Sequence, residues 1–269
     1  MKNDIYLQYK GFIKTPNLWQ NNDVKNVNQF QVFDTLFQLG NPEIFNEIRL
    51  GKRVEQFLNF QISKTPNCKL LAKNIQIRIE KQTIGELDAL VLLNGKAIHI
   101  ETVYKFYLYD ETIESENSLN KWIGPNRNDN FTYKITKLKE KQLPLLYHNA
   151  TLEALVSLNL DPKTIQQNVC FRAQLFLPYK TQNLEVSPFS KAAVYGFYIS
   201  CENLEKLESY QFYIPRKLDW LTEPHNAVDW LNFEFLKSNL TSFMIQKRSP
   251  MVWLKFKNEK LLKCFITWW

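Results

Sequence analysis

The chain has 269 residues, of which 45% are hydrophobic and 14% aromatic, so it can fold around a proper core and is not a disordered protein. Its longest apolar runs are far shorter than the about 20 residues that cross a bilayer, and its first residues lack the apolar core of a signal peptide. The four cysteines form no CxxC pair, so neither a zinc site nor a disulfide framework is expected. We therefore expect a cytoplasmic protein that does not enter the membrane.

The formal net charge of +7 permits an anionic partner such as nucleic acid. However, the excess consists mostly of dispersed lysines, and no basic run is longer than Lys247-Arg248. An AT-rich genome alone would produce the same composition. The charge is therefore compatible with nucleic-acid binding without requiring it.

Taken in chain order, the sequence begins with a polar segment, residues 1–41, which is predicted to be an irregular N-terminal extension with a short amphipathic element at about 27–39. A helix is predicted from about Pro42 to Gln61, because apolar residues recur there at helical spacing. A strand is predicted at 74–80, where three isoleucines alternate with polar residues. The elements that follow are two strands on either side of Asn94-Gly95, a helix at about 129–146, a short helix at 151–158 and a strand at 169–177.

Asn94-Gly95 is the strongest local signal, because Asn-Gly is a dipeptide that favours a two-residue hairpin turn. The flanking segments are therefore predicted to be adjacent antiparallel strands. The order helix, three strands, helix, strand predicts an α/β (α+β) protein whose core at 42–180 is a mixed sheet flanked by helices. Residues 181–269 are predicted to be an α/β extension packed on this core, with strands near 193–200, 209–215 and 251–256 and a helix within 228–245.

The two strands of the hairpin carry the candidate site. Glu86 and Asp88 are two residues apart, so both point to one face of their strand. On the next strand, Glu101 and Lys105 also share a face, together with His99. Carboxylates held on a rigid sheet with a lysine nearby are typical of a hydrolytic site that uses a hard cation.

Several segments resemble the bacterial domain-of-unknown-function 1853 family, within the PD-(D/E)XK nuclease-like superfamily. They are RLGKRVEQF (49–57), LLAKNIQI (70–77), GELDALV (85–91), HIETVYKFYL (99–108) and WIGPNRND (122–129), followed by a helix ending in KQLPLL (141–146), with weaker agreement in PRKLDWL (215–221). The resemblance implies a restriction-endonuclease-like core of order α-β-β-β-α-β.

The resemblance also implies roles for particular residues. Asp88 and Glu101 match the two acids that bind magnesium in the superfamily, and Glu55 matches a glutamate that holds the metal directly or through water. The catalytic lysine of the motif would stand at position 103, where this chain has valine, so Lys105 is the nearest lysine on that face.

Three auxiliary residues complete the candidate site. Lys134 on the following helix is a second candidate for the missing lysine, and Gln142 resembles a polar residue that some members place on that helix. Glu86 is expected at a turn or behind the ligands rather than on the metal. Asp129 is expected to be the N-cap of the helix that follows it.

These residues predict a phosphodiesterase that depends on Mg²⁺ or Mn²⁺ and acts on nucleic acid, with DNA favoured over RNA. The carboxylates of Asp88 and Glu101 would then lie within roughly 4–6 Å of each other, since magnesium binds oxygen at about 2.1 Å. The alternative is a catalytically inactive protein that keeps the nuclease fold as a nucleic-acid-binding or assembly module. The displaced lysine favours that alternative, and the acids Glu55, Asp88 and Glu101 favour the enzyme.

Overall fold

The computed structural model of the chain describes residues 2–21, 23–31, 49–181 and 184–269, which form a mixed β-sheet flanked by helices. The strands are β1 (Cys68–Ile79), β2 (Gln82–Leu93), β3 (Lys96–Tyr109), β4 (Trp122–Ile123), β5 (Gln166–Pro178), β6 (Val194–Ser200), β7 (Gln211–Tyr213), β8 (Met251–Lys255) and β9 (Leu261–Thr267). The α-helices are α1 (Lys2–Lys14), α2 (Leu50–Lys64), α3 (Phe131–Lys137), α4 (Asn149–Ser157) and α5 (Phe233–Ile245). The mixed α/β fold class predicted from the sequence is confirmed.

The chain consists of two units. One, here called the hairpin unit, comprises Pro16–Tyr104 and Lys134–Arg172. The other, here called the terminal unit, comprises Met1–Thr15, Lys105–Tyr133 and Ala173–Trp269.

The hairpin unit contains the antiparallel meander β1-β2-β3. Asn94 and Gly95 both have positive φ angles, 49° and 80°, as a two-residue type I′ turn requires. The pairing of β2 with β3 places Ala89 opposite Ile100. The prediction that the two strands bearing the candidate acids are adjacent and antiparallel is therefore confirmed.

Helix α2 packs against β1 because one of its faces is apolar. Its buried side chains recur at helical spacing: Arg53, Val54, Phe57, Leu58, Gln61 and Ile62. The predicted start of this helix, at 42–48, lies outside the described residues. Within them the helix runs from Leu50 to Lys64, three residues beyond the expected end at Gln61.

The segment predicted as one helix at 129–146 consists of three consecutive helices of different type. After α3 comes one turn of π-helix, Leu138–Gln142, and then a 3₁₀-helix, Leu143–Tyr147. Pro144 lies in the 3₁₀ segment, near its start, where the missing backbone N–H is tolerated. Leu145 and Leu146 reach the core of the unit together with Leu87 and Leu90 from β2.

In the terminal unit the strands lie in the order β5-β6-β9-β8-β7, and β4 pairs with β3. Strand β6 is parallel to both of its neighbours, whereas β8 is antiparallel to both β9 and β7. The strands expected near 193–200, 209–215 and 251–256 correspond to β6, β7 and β8. Their apolar side chains pack with those of α5 in a core that includes Ile199, Phe212, Leu236 and Val252.

The expectation that residues 1–41 are irregular was wrong in part, because α1 occupies Lys2–Lys14. Its residues Tyr9, Phe12 and Ile13 are buried, at the spacing of a helical stripe. Of the amphipathic element expected at 27–39, residues 27–31 are described, and Gln29 forms a bridge with Val169 of β5. The remainder lies outside the described residues.

Among the described residues, no helix combines the length and the hydropathy needed to cross a membrane.

Candidate active site

Three carboxylates meet beside the meander in the hairpin unit. Glu86 and Asp88 project from one face of β2, and Glu55 comes from α2. Each of the three offers an oxygen within 4.8 Å of the others, and all three side chains are half-buried. We call these residues the acid cluster. It contains two of the predicted metal ligands, Glu55 and Asp88, together with Glu86, which the sequence placed behind the ligands.

A lysine bridges two members of the acid cluster. Lys52 Nζ lies 2.7 Å from Glu55 Oε2 and 2.8 Å from Glu86 Oε1. Asn74 Nδ2 on β1 donates to the same two carboxylates, at 3.1 and 3.0 Å, and Gln76 also donates to Glu86. Burial acts to raise the pKa of Glu86, but the hydrogen bonds from Lys52 and Asn74 outweigh it and lower that pKa. Glu86 is therefore held ionised.

The pKa of Asp88 is shifted in the opposite direction, upward. Burial raises its pKa to about 8, and the negative charges of Glu101 and Glu55 add to the effect. The backbone N–H of Thr102, which donates to Asp88 Oδ2 at 2.8 Å, offsets only part of this. Without a bound cation, Asp88 is therefore mostly protonated at neutral pH.

Glu101 is wholly buried on β3 and directly follows Ile100, whose partner on β2 is Ala89. Its two carboxylate oxygens have separate partners. Oε1 lies 3.1 Å from His99 Nε2, and Oε2 accepts a hydrogen bond of 2.6 Å from Gln142 Nε2. Gln142, an auxiliary residue in the sequence analysis, therefore anchors the second predicted acid.

Further contacts fix the orientation of these partners. Gln167 Nε2 donates to Leu143 O at 2.6 Å and lies 3.1 Å from His99 Nδ1. Since this amide nitrogen can only donate, Nδ1 is the acceptor and His99 carries its proton on Nε2, facing Glu101. Lys134 Nζ donates to Gln142 Oε1 at 2.8 Å, which directs the amide nitrogen of Gln142 toward Glu101.

Lys105, the predicted catalytic lysine, lies in the terminal unit and forms an ion pair with Asp129. Asp129 is not the helix N-cap that the sequence suggested. The cap is Asn130, whose Oδ1 accepts from the backbone N–H of Tyr133. An N-cap side chain bonds to an amide two or three residues ahead, and Asn130 has that position because the helix begins at Phe131.

A groove of about 320 Å³ adjoins the acid cluster. Lys52, Glu55 and Asn74 line it, and so contribute to both the cluster and the groove. Its remaining lining is Gln56, Asn59, Phe60, Ser63, Leu70 and Lys73. Glu55 is therefore accessible to a ligand in the groove that would also meet the ammonium of Lys73.

Lys52 and Asn74 are the residues of the site that the sequence analysis missed. Two signals could have found them. Lys52 and Glu55 have the i,i+3 spacing of neighbours on a helix, and Asn74 and Gln76 alternate with isoleucines, so they share the polar face of β1.

Comparisons with curated proteins and with solved structures give no match. A family model described as domain of unknown function (DUF1853) matches residues 16–263, which is most of the chain and includes every residue of the acid cluster. The chain therefore belongs to the DUF1853 family.

Proposed function

We propose that this protein is a metal-dependent phosphodiesterase of the PD-(D/E)XK nuclease-like superfamily that acts on nucleic acid, with DNA favoured over RNA, and that uses Mg²⁺ or Mn²⁺. The observation that supports this most is the acid cluster, in which three carboxylates on a helix and a strand converge beside an open groove. Such a cluster needs an explanation, because like charges at this distance repel one another.

The residues present fit a divalent cation. Oxygen ligands about 2.1 Å from Mg²⁺ are separated by about 3 Å when adjacent and about 4.2 Å when opposite in an octahedron. The three candidate oxygens, within 4.8 Å of one another, need only small movements to reach that arrangement. Lys52 already places a positive charge between Glu55 and Glu86. Glu55, Glu86 and Asp88 would therefore hold the ion, with Glu101 on the adjacent strand β3.

When bound, such an ion supplies charge stabilisation at the phosphate and a more acidic water. The residues of the chain must ionise, orient the carboxylates and position the phosphate. Asp88 has to lose the proton that burial and its acidic neighbours favour at its carboxylate. His99 and Gln142 hold the carboxylate of Glu101 in one orientation through its two oxygens. Lys52 and Lys73, on the groove wall, would attract and position the anionic phosphate.

Contacts with the acids distinguish the lysines that could act in the reaction. The sequence-based hypothesis gives this role to Lys105, with Lys134 as second candidate. In the structure Lys105 pairs with Asp129 and Lys134 bonds to Gln142, whereas Lys52 touches two of the acids directly. We therefore propose that Lys52, from α2, supplies the positive charge next to the phosphate.

The non-catalytic alternative also has an observation in its favour. Lys52 neutralises part of the negative charge of Glu55 and Glu86 by itself, so the cluster can exist in a folded protein without any metal. In that reading the groove binds nucleic acid, or the fold serves as an assembly module, and no bond is cleaved.

The test is a cleavage assay on duplex, single-stranded and branched DNA and on RNA, with Mg²⁺ or Mn²⁺. We expect cleavage by the wild type and its loss in Asp88→Asn and Glu101→Ala. Glu153→Gln is the matched control, because Glu153 is an exposed acid on α4 of the same unit. Lys52→Gln and Lys105→Gln, compared side by side, test the assignment of the lysine.

Two results would contradict the proposal. Binding that weakens with salt, without cleavage under any condition, would establish the non-catalytic reading. Cleavage that persists in Asp88→Asn would show that the activity does not come from the acid cluster.

A further inference from the structure

A second pocket, in the terminal unit, has a different chemical character. Its volume is about 390 Å³, within the range of small-molecule sites. Basic and apolar side chains line it together, including Lys217, Arg248, Trp220 and Phe243. No carboxylate is among its lining residues in the described part of the chain.

Two cations of this pocket have no acidic partner among the described residues. Lys217 Nζ lies 3.3 Å from the centroid of the Trp220 ring, and its pKa is lowered to about 8 by burial of the ammonium and by the positive charge of Lys105. The guanidinium of Arg248 makes neither an ion pair nor a hydrogen bond within the described chain. Arg216, at the same pocket, differs in being bonded to Asp219 at 2.8 Å. Positive charge is therefore concentrated here without compensation.

A buried hydroxyl lines the same pocket. Ser249 is 2% exposed, and its Oγ has no hydrogen-bond partner among the described residues. Its backbone is fixed, since Ser249 N donates to Asn126 Oδ1 at 2.8 Å. Buried hydroxyls are normally bonded, so an unsatisfied one in the lining of a pocket that two uncompensated cations also line points to a polar partner that a ligand would supply.

We infer that this pocket binds a small organic phosphate, whose phosphate group contacts Lys217, Arg248 and Ser249 Oγ and whose body packs against Phe243. A terminal phosphate offers three acceptor oxygens and about two negative charges, which matches two cations and one hydroxyl donor. A carboxylate has only two oxygens and one charge. The apolar wall formed by Ile214, Phe243 and Pro250 favours an organic phosphate over the free inorganic ion.

This inference does not depend on the proposed nuclease activity. Every residue that carries it belongs to the terminal unit, and the acid cluster belongs to the hairpin unit. A failed cleavage assay would leave it untouched, and a failed binding assay would leave the nuclease proposal untouched.

The test is isothermal titration calorimetry on the full chain with adenosine monophosphate, inorganic phosphate and a short oligothymidine lacking a terminal phosphate. We expect adenosine monophosphate to bind more tightly than inorganic phosphate. Arg248→Gln should weaken that binding about tenfold, and Ser249→Ala should weaken it several-fold. Arg248 is exposed, so this variant keeps the fold. Lys257→Gln, which removes one charge from an exposed turn of the same unit, should bind as the wild type does.

Three results would overturn the inference. The first is no binding of adenosine monophosphate at millimolar concentration. The second is equal weakening by Arg248→Gln and Lys257→Gln, which would mean that only net charge matters. The third is Arg248-dependent binding of the oligothymidine alone, which would assign the pocket to a nucleic-acid backbone.

Discussion

Replacing Asp88 by asparagine should stabilise the metal-free protein, and the gain should depend on pH. The pKa of Asp88 is about 8 in the folded protein, against about 3.9 for an aspartate in an unfolded chain. Between these values the unfolded state releases the proton that the folded state keeps. The folded state is therefore penalised increasingly as the pH rises from about 4 to about 8.

At pH 7 the penalty is at most about 4 kcal/mol, from three pH units at about 1.36 kcal/mol each. Asp88 is only half-buried, so water and side-chain movement reduce this, and we expect Asp88→Asn to gain about 1–3 kcal/mol. Asparagine keeps an oxygen to accept from the Thr102 N–H, and its amide can donate to the neighbouring carboxylates. The substitution therefore removes the charge without removing the hydrogen bond.

The measurement is urea unfolding of the wild type and Asp88→Asn in EDTA at pH 4.5, 6, 7 and 8. The difference in unfolding free energy should be smallest at pH 4.5 and largest at pH 8. Glu153→Gln, an exposed acid in the same unit, should show no such trend. A difference that is the same at all pH values, or a destabilised Asp88→Asn, would refute the electrostatic reasoning. With Mn²⁺ present the order should reverse, because the ion stabilises only the wild type.

Three other substitutions test separate parts of the structure. Lys52→Gln should tighten Mn²⁺ binding several-fold in calorimetry, because a competing cation leaves the acids; weaker binding would show that this lysine supports the metal instead. Gln142→Ala should lower the unfolding free energy by about 1–3 kcal/mol, because buried Glu101 loses a donor, and an unchanged urea midpoint would contradict that bond. Gly196→Ala should destabilise the terminal unit by about 3 kcal/mol or more, since a Cβ there would collide with the carbonyl of Lys263 on the paired strand; proteolysis of that unit provides the readout.

The elements that the sequence predicts best are those determined by local chemistry. Asn94-Gly95 specifies a turn that only positive φ angles allow, and this in turn determines the pairing of two strands. The i,i+2 spacing of Glu86 and Asp88 determines their common face. Because of these two local rules, the location of the acid cluster was predictable to within one strand pair.

Tertiary contacts determine what the sequence did not show. A Cβ at Gly11 of α1 would collide with the carbonyl of Leu221, so packing that is not visible in the sequence requires glycine there. Lys52 is an ordinary exposed helix lysine until β2 brings Glu86 beside it. The engagement of Lys105 with Asp129 likewise depends on a loop whose path no local pattern reveals.

The π-helical turn at Leu138–Gln142 gives the site a sensitivity to chain length. A π turn holds one residue more than an α-helical turn, and such turns are often found at functional sites. Deleting one residue there, such as Glu140, would remove that extra residue, so the segment could close into an ordinary α-helical turn that keeps the residues on either side on their present faces. Inserting one more residue would instead rotate Lys134 and Gln142 apart by about 100°, and so separate Lys134 from the Gln142 side chain that donates to Glu101. In this helix a single-residue insertion should therefore be more damaging than a single-residue deletion.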